Sequence, residues 1–159
     1  MEGKWLCLEI GAVATNCTVY LNGTVVARHH GGYAPFLADV TPVATFGQDV
    51  NTLAVHVDAA AFEGWWYEGA GIYRHAWLVS TGRVHVERWG VFVTTPVVSA
   101  GSAVVRVETA VLNETGAAVR AEVRTVIVDP RGRRVAAASS GAEVPPAGRA
   151  VVVQRSMCE

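Results

Sequence analysis

The chain has 159 residues, of which 51% are hydrophobic and 17% charged, and its 13 Lys and Arg stand against 14 Asp and Glu. That length suits one domain or two small ones, and that composition supports a packed core and argues against disorder. The balanced charge excludes the basic footprint of a nucleic-acid binder, and no apolar run approaches the ~20 residues of a membrane span.

The predicted elements are strands. Leu6, Leu8 and Ile10 alternate with Trp5, Cys7 and Glu9, the period of a half-buried strand. Cys17, Val19 and Leu21 repeat the pattern, and Asn22-Gly23 then joins them to Thr24–Ala27. Asn-Gly between alternating runs is a strong hairpin signal, because both turn residues must tolerate positive φ. Gly31-Gly32 breaks the pattern as a tight turn, and Tyr33 and Phe36 are expected in the core. Phe36–Val40 leads to a turn at Thr41-Pro42. Asn51–Asp58 is a strand with Leu53, Val55 and Val57 inward and His56 opposite. Ala59–Gly71 reads as an aromatic loop, and Tyr73–Ser80 and Arg83–Glu87 return to strand.

The character changes at Arg88-Trp89-Gly90, after which Phe92 is the last aromatic residue. Valine-rich strands follow: Val91–Thr95, Ala103–Asn113, Ala118–Asp129, Arg134–Ala138 and Val151–Gln154. Turns at Asp129-Pro130-Arg131-Gly132 and Pro145-Pro146-Ala147-Gly148 separate some of them, with Pro presetting φ and Gly free to take positive φ. This spacing is that of an immunoglobulin-like sandwich. The expected fold is all-β, in two domains: residues 1–88 and residues 89–159.

Chemical motifs are few. Cys7, Cys17 and Cys158 are odd in number and widely spaced, so free buried thiols are expected at Cys7 and Cys17 rather than a disulfide framework. Five histidines do not form a metal-ligand pattern: His29 and His30 are adjacent, and His56 and His85 alternate with inward valines. No metal or cofactor is expected. Trp65 and Trp66 point opposite ways on extended backbone, so one suits a sugar face and the other a neighbouring sheet. Arg74 is expected as a hydrogen-bonded structural arginine near a sheet interior. The start, MEGKWLCLEI, lacks a secretory pattern, which slightly favours the cytoplasm while leaving the compartment open.

Five strings in order carry a resemblance. They are Val19-Tyr20-Leu21-Asn22-Gly23; Gly31-Gly32-Tyr33 with Pro35-Phe36 and Asp39-Val40-Thr41; Gly47 through Val57; Gly69-Ala70-Gly71-Ile72-Tyr73-Arg74 with Trp77-Leu78; and Val91-Phe92-Val93-Thr94. Together they resemble the amino-terminal region of glycoside hydrolase family 2, which includes β-galactosidases, β-glucuronidases and β-mannosidases. The resemblance implies a galactose-binding-like jelly roll, here without its first strands, then an immunoglobulin-like sandwich cut short at its end. It also implies a catalytic (β/α)₈ barrel elsewhere, which would need ~250 further residues. The two catalytic glutamates, ~5–5.5 Å apart in a retaining glycosidase, would lie on that barrel. This chain is therefore expected to hold no catalytic residue and to wall the substrate pocket through its aromatic loop, with Glu63, Trp65 and Trp66 as substrate contacts. Gly64 and Trp65 stand where many relatives carry Ser-Arg, and Glu68 where a proline is common, so the sugar stays open. The implied partners are a β-glycoside and the barrel. Exposed strand edges of a partial jelly roll invite self-association, so a homo-oligomer is allowed. Two other readings remain: a free-standing carbohydrate-binding module without enzymatic activity, and an adhesion-type sandwich, against which the aromatic loop speaks.

Overall fold

The computed structural model describes residues 3–60 and 69–158, which hold thirteen strands and no helix. They form two compact units, Met1–Gly82 and Arg83–Glu159. Among the described residues no helix is long and apolar enough to cross a membrane.

The first unit contains β1 (Trp5–Ile10), β2 (Val13–Ala14), β3 (Asn16–Leu21), β4 (Thr24–His30), β5 (Phe36–Asp39), β6 (Leu53–Asp58), β7 (Gly71–Ile72) and β8 (Ala76–Thr81). Two three-stranded antiparallel sheets, ordered β5-β1-β8 and β4-β3-β6, supply the core. Leu6, Leu8 and Ile10 of β1 pack with Cys17, Val19 and Leu21 of β3, and Ala38 and Val40 close the cluster. The alternation seen in the sequence thus sets which residues face this core, although β1 is buried on both faces, with Cys7 2% and Glu9 7% exposed. Each fully buried leucine, isoleucine or valine contributes about 1.5–3 kcal/mol relative to exposure.

The Asn22-Gly23 hairpin forms as its residue types dictate, with φ of 52° and 81°. Asn22 does more than turn the chain. Its Nδ2 donates to Val43 O at 3.1 Å and Asn51 Oδ1 at 3.0 Å, and Thr52 N donates to its Oδ1 at 2.9 Å. Asn51 Nδ2 donates to Thr45 O at 2.8 Å. Two of the resemblance strings therefore meet through a polar clamp that fixes the residue 43–52 loop to the hairpin. Phe36 packs against the core and stacks on His29, with centroids 4.3 Å apart. Tyr33, expected in the core, is 70% exposed, because the Gly31-Gly32 turn carries it out of the strand.

The second unit contains β9 (Val84–Val98), β10 (Ala103–Asn113), β11 (Val119–Val128), β12 (Arg134–Val144) and β13 (Gly148–Cys158). The sheet β13-β10-β9 faces the β11-β12 hairpin, and Val111 and Val152 meet Val123 and Val144 between them. The expected break at Arg88-Trp89-Gly90 is a bulge inside one continuous strand. Trp89 takes φ of 58°, and the pairing with β10 shifts register between Thr109 and Val111. A Cβ at Gly90 would lie 2.7 Å from Glu87 Cβ, so the kink needs glycine there. At the β12–β13 turn Ala147, not Gly148, takes positive φ (45°). Gly148 is required for room instead, since a Cβ there would meet Pro145 Cγ at 2.7 Å.

Two buried amides tie the second unit. Gln154 of β13 accepts from Thr125 Oγ1 at 2.6 Å and donates to Val123 O at 3.0 Å. Asn113, 1% exposed, donates to Ala117 O, Val144 O and Pro145 O, and accepts from Thr115 N and Thr115 Oγ1. It thereby joins the turn after β10 to the end of β12. At the opposite turn, Asp129 accepts from Arg131 N and Arg133 N at 2.9 Å each and from Arg133 Nε at 2.7 Å. Those donors, the Arg133 amide first, hold its carboxyl below the usual aspartate range. Asn113→Ala strands several buried backbone groups and is expected to destabilise the second unit by about 2–4 kcal/mol in urea denaturation.

All three cysteines are free thiols, with Cys7 and Cys17 buried. Burial pushes the Cys17 thiol above its ordinary value, against a smaller lowering from the His29 backbone. The fold therefore favours neutral Cys17. Its contribution to stability is complete below the ordinary thiol pKa of ~8.5 and is lost as pH rises through the folded value. In a thiol-titration assay at pH 8 the native chain is expected to react quickly at Cys158 alone, and at three sites once unfolded. Fast native labelling of Cys17 would contradict the packing.

Candidate functional site

The substrate-facing residues expected from sequence, Glu63, Trp65 and Trp66, lie in the segment 61–68, outside the described residues. The structure places what leads into and out of that segment.

On the incoming side β6 ends at Asp58, whose Oδ1 accepts from Ala60 N at 2.9 Å. On the outgoing side Gly71 adopts φ of 121°, open only to glycine at low cost, and starts β7. That short strand pairs with β2 through Val13↔Ile72 and Ala14↔Gly71. Neither two-residue strand is legible in the sequence, because two residues show no period.

Beyond β7 the chain is pinned to the Gly31-Gly32-Tyr33 turn. Tyr73 OH donates to Gly32 O, and Arg74 Nη1 donates to Tyr33 O at 3.4 Å. Gly31 N in turn donates to Thr15 O at 3.1 Å, and a Cβ at Gly32 would sit 3.7 Å from Ala14 Cα. The two most distinctive sequence strings, about forty residues apart, thus form one structural knot. A second strap lies beside it: Gly11 N donates to His75 O at 2.9 Å, and a Cβ on Gly11 would meet Arg74 Cβ at 2.9 Å.

Arg74 departs from expectation in one respect. It is exposed rather than near a sheet interior, with its guanidinium 5.6 Å from the Tyr73 ring centroid. Its hydrogen bond to a carbonyl holds the turn and leaves the cation at the surface. Tyr33, Tyr73 and Trp77 are all more than half exposed, so this part of the unit presents aromatic surface. Such rings suit the C–H face of a sugar, though a lone exposed aromatic carries no information by itself. Among the described residues no group of three His, Cys, Asp or Glu side chains is placed to hold a metal ion. The chemistry available at the base of the loop is positioning and hydrogen bonding.

Tyr73→Phe removes one hydrogen bond at the knot and is expected to cost about 1 kcal/mol. Gly11→Ala forces the β7–β8 connection outward, at about 1–3 kcal/mol. Thermal unfolding of the two variants checks both; equal stability to the parent chain would deny the knot its role.

No protein-family model matches the chain. Individual proteins do. The chain is 36% identical, over 98% of its length, to Beta-galactosidase BoGH2A of Bacteroides ovatus, and 28% identical over 91% of its length to a beta-glucuronidase of Formosa agariphila. It spans 18% and 17% of those two proteins. Among solved structures, a glycosyl hydrolase family 2 member from Bacteroides cellulosilyticus matches 99% of the chain with a TM-score of 0.94 at 32% identity, and the chain covers 22% of it. The Bacteroides uniformis beta-glucuronidase matches 98% of the chain with a TM-score of 0.88 at 26% identity, and the chain covers 20% of it.

Proposed function

We propose that this chain, which is homologous to one segment of glycoside hydrolase family 2 enzymes, is the non-catalytic amino-terminal region of such an enzyme. The single observation that carries the reading is the span of the match: nearly all of this chain against 18% of a β-galactosidase. Residues 1–88 act as the sugar-binding jelly roll and residues 89–159 as the immunoglobulin-like sandwich. The parent reaction is retaining hydrolysis of a terminal β-glycoside, with both catalytic glutamates on a barrel outside this chain.

In this reading the segment from Ala59 to Gly71 walls the substrate pocket, and Glu63, Trp65 and Trp66 contact the glycoside. The knot of Tyr73 with Gly32 supports that role, because it fixes where the segment leaves the sheet. Positioning of this kind acts on catalysis through orientation, and a misplacement of about 1 Å can cost about a hundredfold in rate.

The test is direct. The purified chain is expected to show no turnover of chromogenic β-galactosides or β-glucuronides, whereas the longer polypeptide that contains it cleaves one of them. Trp65→Ala and Trp66→Ala in that longer polypeptide are expected to raise KM or lower kcat by tenfold or more for at least one of the two. Hydrolysis by the chain alone would overturn the assignment. Micromolar sugar binding by the chain alone in titration calorimetry, lost in either variant, would favour a free-standing binding module.

A further inference from the structure

We propose that the outer face of the β13-β10-β9 sheet is an interface for a second copy of this chain, and that the two copies form a weak two-fold dimer. The proposal goes beyond the family 2 reading and does not depend on it.

Alternation on β10 buries Val107, Thr109 and Val111 on the inner face and leaves Val104, Arg106, Glu108 and Ala110 on the outer one. Register adds their neighbours row by row. Val104 lies between Val97 and Met157, and Ala110 lies beside Val151. In the rows between, Arg106 has Thr94 and Arg155 on its flanks, and Glu108 has Phe92 and Val153. The solvated face of an antiparallel sheet is ordinarily polar. Here Phe92, Val97, Val151, Val153 and Met157 share one face of one sheet and are 44–63% exposed. Single exposed apolar residues need no explanation, whereas a contiguous set of them marks an interaction surface.

The charges at the centre of this face select the occupant. Arg106 Nη1 donates to Glu108 Oε1 along β10, so one positive and one negative group sit side by side among the apolar residues. Two sheets packed face to face keep their strands nearly aligned. That leaves two directions for a two-fold axis between two copies. An axis along the strands sets Arg106 on Arg106 and Glu108 on Glu108, which is repulsive. An axis across the strands at the level of Val107 sets Arg106 on Glu108 of the second copy, and does so twice. The same rotation lays Met157 over Val151, Val104 over Ala110, and the aliphatic stem of Arg155 over Val153. A face that complements itself under a two-fold axis fits a second copy and closes after two. The alternating charges fix register more than they add affinity. The face is also small. Three strands about 4.8 Å apart, over residues 104–112 at about 3.4 Å each, give roughly 400 Å² per copy. A standard interface buries about 800 Å² per partner, so the dimer belongs to the weak, concentration-dependent class.

Sedimentation equilibrium of the whole chain tests this, and a reversible monomer–dimer equilibrium with Kd between about 1 μM and 1 mM is expected. Glu108→Arg puts like charges face to face and should weaken dimerisation about tenfold or more. The double swap, Arg106→Glu with Glu108→Arg, restores the pair within the strand and the pair across the axis, and should regain the parental affinity. Thermal unfolding of each variant separates loss of contact from loss of fold. Met157→Asp, at an exposed position, checks the same face where a charge variant fails to fold, and should weaken the dimer by a similar factor. A chain that stays monomeric throughout that range, a dimer indifferent to Glu108→Arg, or a double swap that recovers nothing overturns the proposal. Indifference to Glu108→Arg and Met157→Asp together assigns the association to a strand edge instead. A monomeric chain whose Met157 oxidises readily, but resists oxidation in the longer polypeptide, assigns the face to the rest of that polypeptide.

Discussion

Side-chain alternation on β1 and β3 is the constraint from which the first unit follows. Leu6, Leu8 and Ile10 can be buried only against a partner face of the same period, and Cys17, Val19 and Leu21 supply it. Once these two strands are fixed, antiparallel neighbours must satisfy their backbone groups, which sets β5 and β8 beside one and β4 and β6 beside the other. The opposite faces then differ: Cys7 and Glu9 of β1 are buried as well, whereas Arg28, His30, His56 and Asp58 of β4 and β6 are exposed.

The second unit solves the same problem with less apolar area. Its inter-sheet contact relies on valine and alanine, and two amide side chains, Asn113 and Gln154, complete the join. Buried amides are favourable only when their hydrogen bonds are made, and they fix the register of what they touch more sharply than methyl groups do. The unit is therefore specified by a few directional bonds as much as by burial.

Much of this was legible in the sequence. Strong period-two runs marked β1, β3 and β6, valine-rich spacing marked β10, and Asn22-Gly23 marked its hairpin, because alternation and positive φ leave direct marks on residue choice. Other features leave none. Val13–Ala14 and Gly71–Ile72 are too short to show a period. The bulge at Trp89 hides the continuity of β9, since the local chemistry resembles a loop. Tyr33 looks like core and is exposed, and Arg74 looks interior and is also exposed; an aromatic or cationic residue beside a glycine turn can go either way until the turn's direction is known. Gly148 reads as a conformational glycine and is a spatial one. At the candidate site, the sequence identified the two strings but not that Tyr73 and Gly32 join them, because that bond needs three-dimensional proximity. Glu63, Trp65 and Trp66 lie outside the described residues, so their role rests on the resemblance.

The uneven cover over β9 has a consequence of its own. Val86, Val91 and Val93 stand opposite Val111, Thr109 and Val107 on β10. Those three β10 residues are at most 6% exposed, yet their β9 partners are about half exposed. The β11-β12 hairpin thus shields one half of an apolar sheet and leaves the other half wet. Water in that cleft gains no hydrogen bonds from valine, so the interface is a line of tension rather than a finished boundary. Under warming or mild denaturant the two layers should begin to part along β9 and open from that flank, like a book whose spine is β13.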